Sequence, residues 1–213
     1  MILPLLSVAY AGTVLYQLLV VNQLKLATDI NSKDLYAWHP VLSNAFLVFA
    51  ALGMNSAQSI RGSVAASRAA KEGYVNAHAL LNWLALFSLA GSGAAIFLNK
   101  ERNARPHLTS YHSMTGAATS IAFLLNVFGG VAMRTVPGMY KYIKFHRLNG
   151  YLLFLALLGA HGTAVWRGYA GFQPSEPGRL VLVGLLGAMG LATLARVKTS
   201  LLPGGAKDAA KSN

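Results

Sequence analysis

Residues 106–133 read PHLTSYHSMTGAATSIAFLLNVFGGVAM and contain no Asp, Glu, Lys or Arg. A helix needs roughly 20 mostly apolar residues to cross the hydrocarbon core of a bilayer. Arg105 and Arg134 close the stretch at its two ends, and the pair Gly129-Gly130 permits close helix packing in lipid. The stretch therefore predicts a membrane-spanning helix over about 111–133.

Five further runs without charged residues resemble the first one. They lie between Met1 and Lys25, Asp34 and Arg61, Glu72 and Lys100, Arg147 and Arg167, and Arg179 and Arg196. Together the six runs predict helices at about 3–24, 40–60, 75–98, 111–133, 147–167 and 179–197. The composition agrees, because 11% of the residues are charged whereas a soluble domain carries roughly 25%.

These spans predict an all-α fold, a bundle of six transmembrane helices joined by short connectors. Residues 1–200 are expected to form one membrane domain. Residues 201–213 are small, polar and basic, and we expect this tail to be disordered.

The distribution of Lys and Arg predicts the orientation. Most of these residues fall in the second connector, the fourth connector and the tail: Arg61, Arg68, Lys71, Arg134, Lys141, Lys144, Arg147, Arg196, Lys198, Lys207 and Lys211. The positive-inside rule therefore places both termini on the cytoplasmic, matrix or stromal side. Because the positive charges flank membrane helices, the net charge of +12 indicates anionic lipid as a partner and gives no reason to expect nucleic acid.

Four histidines lie at or near the beginnings of four consecutive predicted helices: His39, His78, His112 and His146. Helices 2 and 4 start on the outer face, and helices 3 and 5 start on the cytoplasmic face. Chain direction therefore pairs His39 with His112 at one depth and His78 with His146 at the other. Two facing imidazoles fill both axial positions of a haem iron, which then transfers electrons and has no open site for oxygen.

The pattern of residues thus predicts two b-type haems, held by helices 2–5 as a four-helix haem-binding core. A single histidine at a helix end has a plainer explanation, a hydrogen bond to a head group or a carbonyl. Zinc or di-iron is disfavoured because no Asp or Glu lies inside a predicted helix. The absence of cysteine excludes thiolate ligation and covalent haem attachment.

One turn after each histidine stands a small or slim residue that leaves room for a macrocycle edge: Ser43, Asn82, Gly116 and Gly150. Two further histidines are less well placed to be ligands. His107, in the outer connector, is a candidate contact for a substrate or a haem propionate, and a plain loop histidine is an equal alternative. For His161 we favour a hydrogen bond to a neighbouring helix over a propionate contact.

The motifs around the four histidines resemble the cytochrome b561 family. The matching stretches are Trp38-His39-Pro40, His78 on the next helix, Ser110-Tyr111-His112-Ser113-Met114-Thr115-Gly116, and His146-Arg147-Leu148-Asn149-Gly150-Tyr151. They cover about residues 36–168. The resemblance implies two haem b groups in a core of four helices flanked by two more, with the same pairing of helices. It also implies electron transfer from cytoplasmic ascorbate to monodehydroascorbate or ferric iron on the opposite face, and a homodimer.

The sequence differs from the ascorbate-specific members at two places. Met114 stands where those members have Trp, and residues 54–58, MNSAQ, replace a more hydrophobic motif with a basic end. Four basic residues remain as candidate contacts for an anionic donor at the cytoplasmic face: Arg68, Lys71, Lys141 and Lys144. The alternative left open is an accessory or structural haem-binding subunit of a larger membrane complex, without reductase activity of its own.

Overall fold

The computed structural model describes residues 2–29, 31–32, 35–62, 67–168 and 173–203. The described residues are almost entirely helical and contain no strand. The six long helices are α1 (Ile2–Tyr16), α2 (Trp38–Gly62), α3 (Arg68–Arg102), α4 (Tyr111–Thr135), α5 (Ile143–Arg167) and α6 (Glu176–Leu194). A π-helical turn, Gln17–Val21, extends α1, and short 3-10 turns occupy Leu35–Ala37, Met139–Tyr142 and Thr199–Leu201.

Within the described residues, six helical segments are long and apolar enough to cross a membrane, which confirms the predicted fold class. Disorder was predicted for residues 201–213. Leu201 ends the 3-10 turn Thr199–Leu201, and residues 204–213 lie outside the described residues. Helix α3 is the main difference from the predicted spans, since it begins at Arg68 and the prediction began at 75. Its hydrogen bonding continues through charged residues beyond the apolar run, and the Ser67 side chain caps it by accepting a bond from the Ala70 N–H.

Local sequence features fix where the other helices begin. Helix α4 starts with a capping box, in which Ser110 and Ser113 bond each other's backbone N–H groups. Helix α6 starts after Ser175, whose hydroxyl accepts a bond from the Gly178 N–H. The turn before α5 contains Gly138 at φ 79°, a left-handed conformation that glycine adopts without strain. These caps and turns place the histidines of α4 and α5 in the first turn of each helix.

Helices α2 and α3 form one closely packed hairpin and α4 and α5 form another, while contacts between the two hairpins are sparse. Helices α1 and α6 pack on each other and cover the side made by α2 and α5. The buried core consequently lies between α1, α2, α5 and α6, with Tyr10, Leu47, Leu157 and Met189 among its members. The space between the hairpins is bridged by an aromatic contact, Phe46 on Phe123, at 4.9 Å between ring centroids.

Two polar contacts hold the end of α6 to the end of α2. The Gln58 side-chain N–H donates to the Thr193 carbonyl at 3.0 Å, and Arg196 donates to the Asn55 side-chain oxygen at 2.7 Å. Hydrogen bonds between helices are a main source of specific association in lipid, where apolar burial drives little. These contacts place the carboxyl ends of α2 and α6 at the same end of the bundle.

Candidate haem sites

The rings of His39 and His112 meet at one end of the bundle. His39 is the second residue of α2 and His112 is the second residue of α4. Their ring centroids lie 6.1 Å apart, with an angle of 73° between the ring planes. The two hairpins therefore place one imidazole each on facing sides of the space between them. We call this the His39 end of the bundle.

The rings of His78 and His146 meet in the same way at the opposite end. His78 lies ten residues into α3, and His146 lies in the first turn of α5. Their centroids are 6.3 Å apart and their planes are nearly perpendicular, at 87°. The four rings are thus paired as chain direction predicted. We call this the His78 end.

A register of fourteen residues relates the two levels. His39 of α2 contacts Ser92 of α3, and His78 of α3 contacts Gly53 of α2. Within α2, Gly53 follows His39 by fourteen positions, and within α3, Ser92 follows His78 by fourteen positions. At 1.5 Å per residue, fourteen positions correspond to about 21 Å along the helix axis. The two ring pairs therefore lie at two depths separated by most of the thickness of a hydrocarbon core.

The separation of the rings in each pair fits an iron between them. An imidazole nitrogen binds a transition metal at roughly 2 Å and lies about 1.1 Å from its ring centroid, so two imidazoles on one ion have centroids about 6 Å apart. Both observed separations agree with that value. Two imidazoles leave four coordination positions in the plane between them, which are the positions that a porphyrin supplies. The donor set at both ends therefore fits a haem with two axial histidines.

Backbone carbonyls fix the tautomer of three of the four rings. The Nδ1 atoms of His39, His78 and His112 lie 3.2, 2.9 and 3.0 Å from the carbonyl oxygens of Ser92, Gly53 and Ala160. A carbonyl oxygen only accepts, so each Nδ1 carries a proton and donates it. The lone pair of each neutral ring is then on Nε2, the nitrogen that such an arrangement presents to a metal.

His161 and His107 are engaged elsewhere. His161 is buried, and its two ring nitrogens lie 3.0 Å from the Leu157 carbonyl and 3.3 Å from the Ser43 carbonyl of α2. A neutral ring has one N–H and donates to one of these two carbonyls at a time. The approach to the Ser43 carbonyl is the contact with a neighbouring helix that the sequence favoured. His107 pairs with Glu101 at 2.7 Å and stacks on Phe97. Neither histidine belongs to a ring pair.

The four small residues after the histidines do not behave alike. A Cβ added at Gly116 would meet no atom within 4 Å, and one at Gly150 would meet only Asn126 at 3.8 Å. Ser43 and Asn82 instead form hydrogen bonds, Ser43 with the Ser92 hydroxyl and Asn82 with the carbonyl of His78. The two polar residues therefore also bond the surroundings of a histidine, and the prediction that all four leave room for a macrocycle edge stays a prediction.

Several residues around the rings were not identified from the sequence. Ser92, Gly53 and Ala160 provide the carbonyls that orient three histidines, and Gly130 lies against His146, because a Cβ built there would be 3.2 Å from its Cε1 atom. For the three carbonyls the available signal was an offset of fourteen residues, since Gly53 follows His39, Ser92 follows His78 and Ala160 follows His146 by fourteen positions. Composition and helical periodicity alone did not reveal it.

An open cleft lies beside His146. It has a volume of about 440 Å³ between α4 and α5, and its lining includes Asn126, Gly129, Tyr142 and Asn149. The Asn149 amide donates to the Asn126 side-chain oxygen at 3.1 Å across the cleft. At the His78 end, the side formed by α4 and α5 is thus less enclosed than the core between α1, α2, α5 and α6.

The four basic candidates for donor contact all lie at the His78 end. Arg68 and Lys71 are in the first turn of α3, Lys141 is in the 3-10 turn before α5, and Lys144 is in the first turn of α5. Lys141 lies over the Tyr142 ring at 5.1 Å. The structure therefore places these side chains at one end of the bundle, on the side where α3 and α5 begin.

The ring pairs and the six-helix arrangement agree with a comparison of the sequence with known families. A family model described as eukaryotic cytochrome b561 matches residues 38–167, more than half of the chain. The chain belongs to the cytochrome b561 family. The match includes all four paired histidines and helices α2 to α5, so the resemblance seen in the sequence motifs is confirmed. No curated protein matches the chain.

Cytochromes b561 are haem b proteins of membrane electron transfer. Membership of the family, together with six apolar helices, makes this chain an integral multi-pass membrane protein that binds haem b and transfers electrons. The helices outside the match are α1 and α6, which cover one side of the core.

Proposed function

We propose that the chain carries electrons across a membrane through two b-type haems. His39 and His112 would hold one haem, and His78 and His146 would hold the other. The observation that carries this proposal is the presence of two facing ring pairs, 6.1 and 6.3 Å apart, at opposite ends of one bundle. One haem alone would leave the second pair of imidazoles without a function in a membrane, where such polar groups are costly.

When bound, the haem groups supply reversible one-electron chemistry, and the protein supplies their placement. The carbonyls of Ser92, Gly53 and Ala160 keep the protons of three ligand rings on Nδ1. Helices α1 and α6 cover one side of the haem core and exclude water from it. No general base or nucleophile is required, because the transfer of an electron breaks no bond in the protein.

We place the electron donor at the His78 end, which the positive-inside rule assigns to the cytoplasmic side together with both termini. A small anionic reductant such as ascorbate is attracted by the cations at the beginnings of α3 and α5. The acceptor, monodehydroascorbate or ferric iron, would react at the His39 end. His107 is a candidate acceptor contact there, with Glu101 as its partner at 2.7 Å.

Spectroscopy of the purified protein tests the haem content. We expect a reduced-minus-oxidised difference spectrum with a low-spin b-type band and two haems per chain. In vesicles with ascorbate inside and ferricyanide outside, we expect the protein to reduce the external ferricyanide. A colourless preparation, or a coloured one with a single haem, would contradict the proposal.

Removal of positive charge at the His78 end should weaken use of ascorbate. The variant with Arg68, Lys71, Lys141 and Lys144 all changed to Gln should raise the KM for ascorbate about tenfold, since each exposed charge contributes roughly 0.2–1 kcal/mol and the effect falls with added salt. Stopped-flow reduction at varied ionic strength measures this. Arg105→Gln, an exposed cation on the other side, is the matched control. If the two variants have equal KM values for ascorbate, the four residues are not part of the donor site.

The alternative is a haem-binding accessory subunit of a larger membrane complex. One observation favours it: Asn55 and Gln58, in the stretch where ascorbate-specific members carry a basic motif, bond Arg196 and Thr193 of the α6 end. These side chains therefore anchor a helix at the face where a donor would bind. Purification of the native protein distinguishes the two functions, because a free homodimer reduced rapidly by ascorbate supports the reductase, and co-purifying membrane subunits with slow, partial reduction support the alternative.

A further inference from the structure

Ser92 of α3 is a buried hydroxyl packed against His39. Its side chain is 2% exposed. Its Oγ atom lies 2.9 Å from Nδ1 of His39, 3.1 Å from the His39 carbonyl oxygen and 2.7 Å from the Ser43 hydroxyl. One side chain of α3 thus contacts three polar groups of α2.

The carbonyl oxygens determine the direction of each of these hydrogen bonds. Nδ1 of His39 is also 3.2 Å from the Ser92 carbonyl, which only accepts, so Nδ1 carries a proton and the Ser92 hydroxyl oxygen accepts from it as well. The His39 carbonyl can only accept, so the Ser92 hydroxyl donates to it. The Ser43 hydroxyl then donates to the Ser92 oxygen. A hydroxyl has one donor and two acceptor lone pairs, and all three are used here.

We infer that Ser92 is a positioning residue, which orients the His39 imidazole and lowers the redox midpoint of the haem that His39 holds. The inference rests on the proposed function, since it takes His39 as an iron ligand. An oxygen that accepts the Nδ1 proton makes the imidazole a more basic ligand, which stabilises ferric relative to ferrous iron. The bond to the His39 carbonyl also fixes the first turn of α2, from which the ring projects.

His39 alone contacts Ser92, and the side chains near Nδ1 of His78 and His112 are different, so we expect the effect to be confined to the haem that His39 would hold. At His78 the side-chain atom near Nδ1 is the Asn82 amide nitrogen at 3.2 Å, which is a donor and cannot accept a proton from the ring. At His112 the Thr163 hydroxyl lies 3.4 Å from Nδ1 and donates to the Ala160 carbonyl at 2.7 Å. The short hydroxyl contact of Ser92 with His39 therefore differs from the side-chain contacts described at Nδ1 of His78 and His112.

A redox titration of the purified holoprotein tests this, with Ser92→Ala as the variant. We expect the ferrous-to-ferric ratio of one haem at a fixed potential to rise about tenfold, which corresponds to a midpoint about 59 mV higher, while the other haem is unchanged. The low-spin electron paramagnetic resonance signal of the same haem should also shift, because that signal reports ligand-ring orientation. Ser88→Ala is the matched control, since Ser88 lies one turn earlier on α3 and donates to the Leu84 carbonyl of its own helix.

Ser92→Thr retains the hydroxyl and should restore both the midpoint and the resonance signal, even if Ser92→Ala loses the haem. A Thr variant that matches the Ala variant would overturn the inference. So would two intact haems in Ser92→Ala with midpoints unchanged, or shifted equally. Failure of the proposed function is a separate result, because the unmodified protein would then lack two low-spin haems before any change at Ser92.

Discussion

Replacing His78 with alanine and replacing His146 with alanine are expected to give the same product, a protein with one haem per chain instead of two. In the proposed assignment each change removes one of the two histidines that would hold the same iron, and a haem with a single protein ligand would be held far less tightly. His39→Ala and His112→Ala form a second matched pair that should lose the other haem. The haem-to-protein ratio gives the number lost, and redox titration of the remaining haem identifies which one it is.

Two histidines outside the ring pairs are the controls for this experiment. His161→Ala and His107→Ala should both retain two haems, because the His161 ring lies against the Leu157 and Ser43 carbonyls and the His107 ring contacts Glu101. The assignment fails if His78→Ala and His146→Ala leave haems with different midpoints, since the two rings would then belong to different irons.

Gly130→Ala is expected to disturb the haem at the His78 end strongly, although the residue is not a ligand. A Cβ at this position would lie 3.2 Å from Cε1 of His146, closer than most such contacts, so the ring must move. Changes to groups that orient a metal ligand typically reduce affinity by 10- to 100-fold, and we expect a loss of haem affinity in that range. Competition of the reduced-haem protein with apomyoglobin for haem measures it.

The adjacent glycine provides the matched control. A Cβ at Gly129 would meet no atom within 4 Å, so Gly129→Ala adds the same methyl group to the same helix without pressing on His146. Retention of both haems in Gly129→Ala and loss of one in Gly130→Ala would show that the ring, and not helix flexibility, is affected. Equal haem affinity in the two variants would mean that His146 has room to move.

The six-helix fold was predictable because a helix that crosses a bilayer needs a long apolar segment. Charge-free runs such as 106–133 mark the part of each helix that lies in hydrocarbon, and all six were located correctly. They do not mark where helices end, since hydrogen bonding continues into water wherever a cap supports it. Helix α3 therefore begins at Arg68 after the Ser67 cap, seven residues before the predicted position.

The pairing of the histidines was also predictable, because alternate helices run in opposite directions and each histidine lies near the start of its helix. The hydrogen-bond partners of the rings were not predictable from the sequence. The role of Ser92 depends on a register in which His39 and Ser92, from opposite ends of two antiparallel helices, come within 2.9 Å. The periodicity of apolar residues describes one helix at a time and contains no information about how α2 and α3 are aligned with each other.

The sequence by itself determined six crossings, two levels of imidazole and the family, because burial in lipid and the geometry of a helix act on each segment separately. The tertiary structure alone decided which carbonyls and which hydroxyl bond the rings, and which groups Ser43 and Asn82 bond. Those contacts depend on rotation and sliding of one helix against another, which are set by the packing of all neighbouring side chains together.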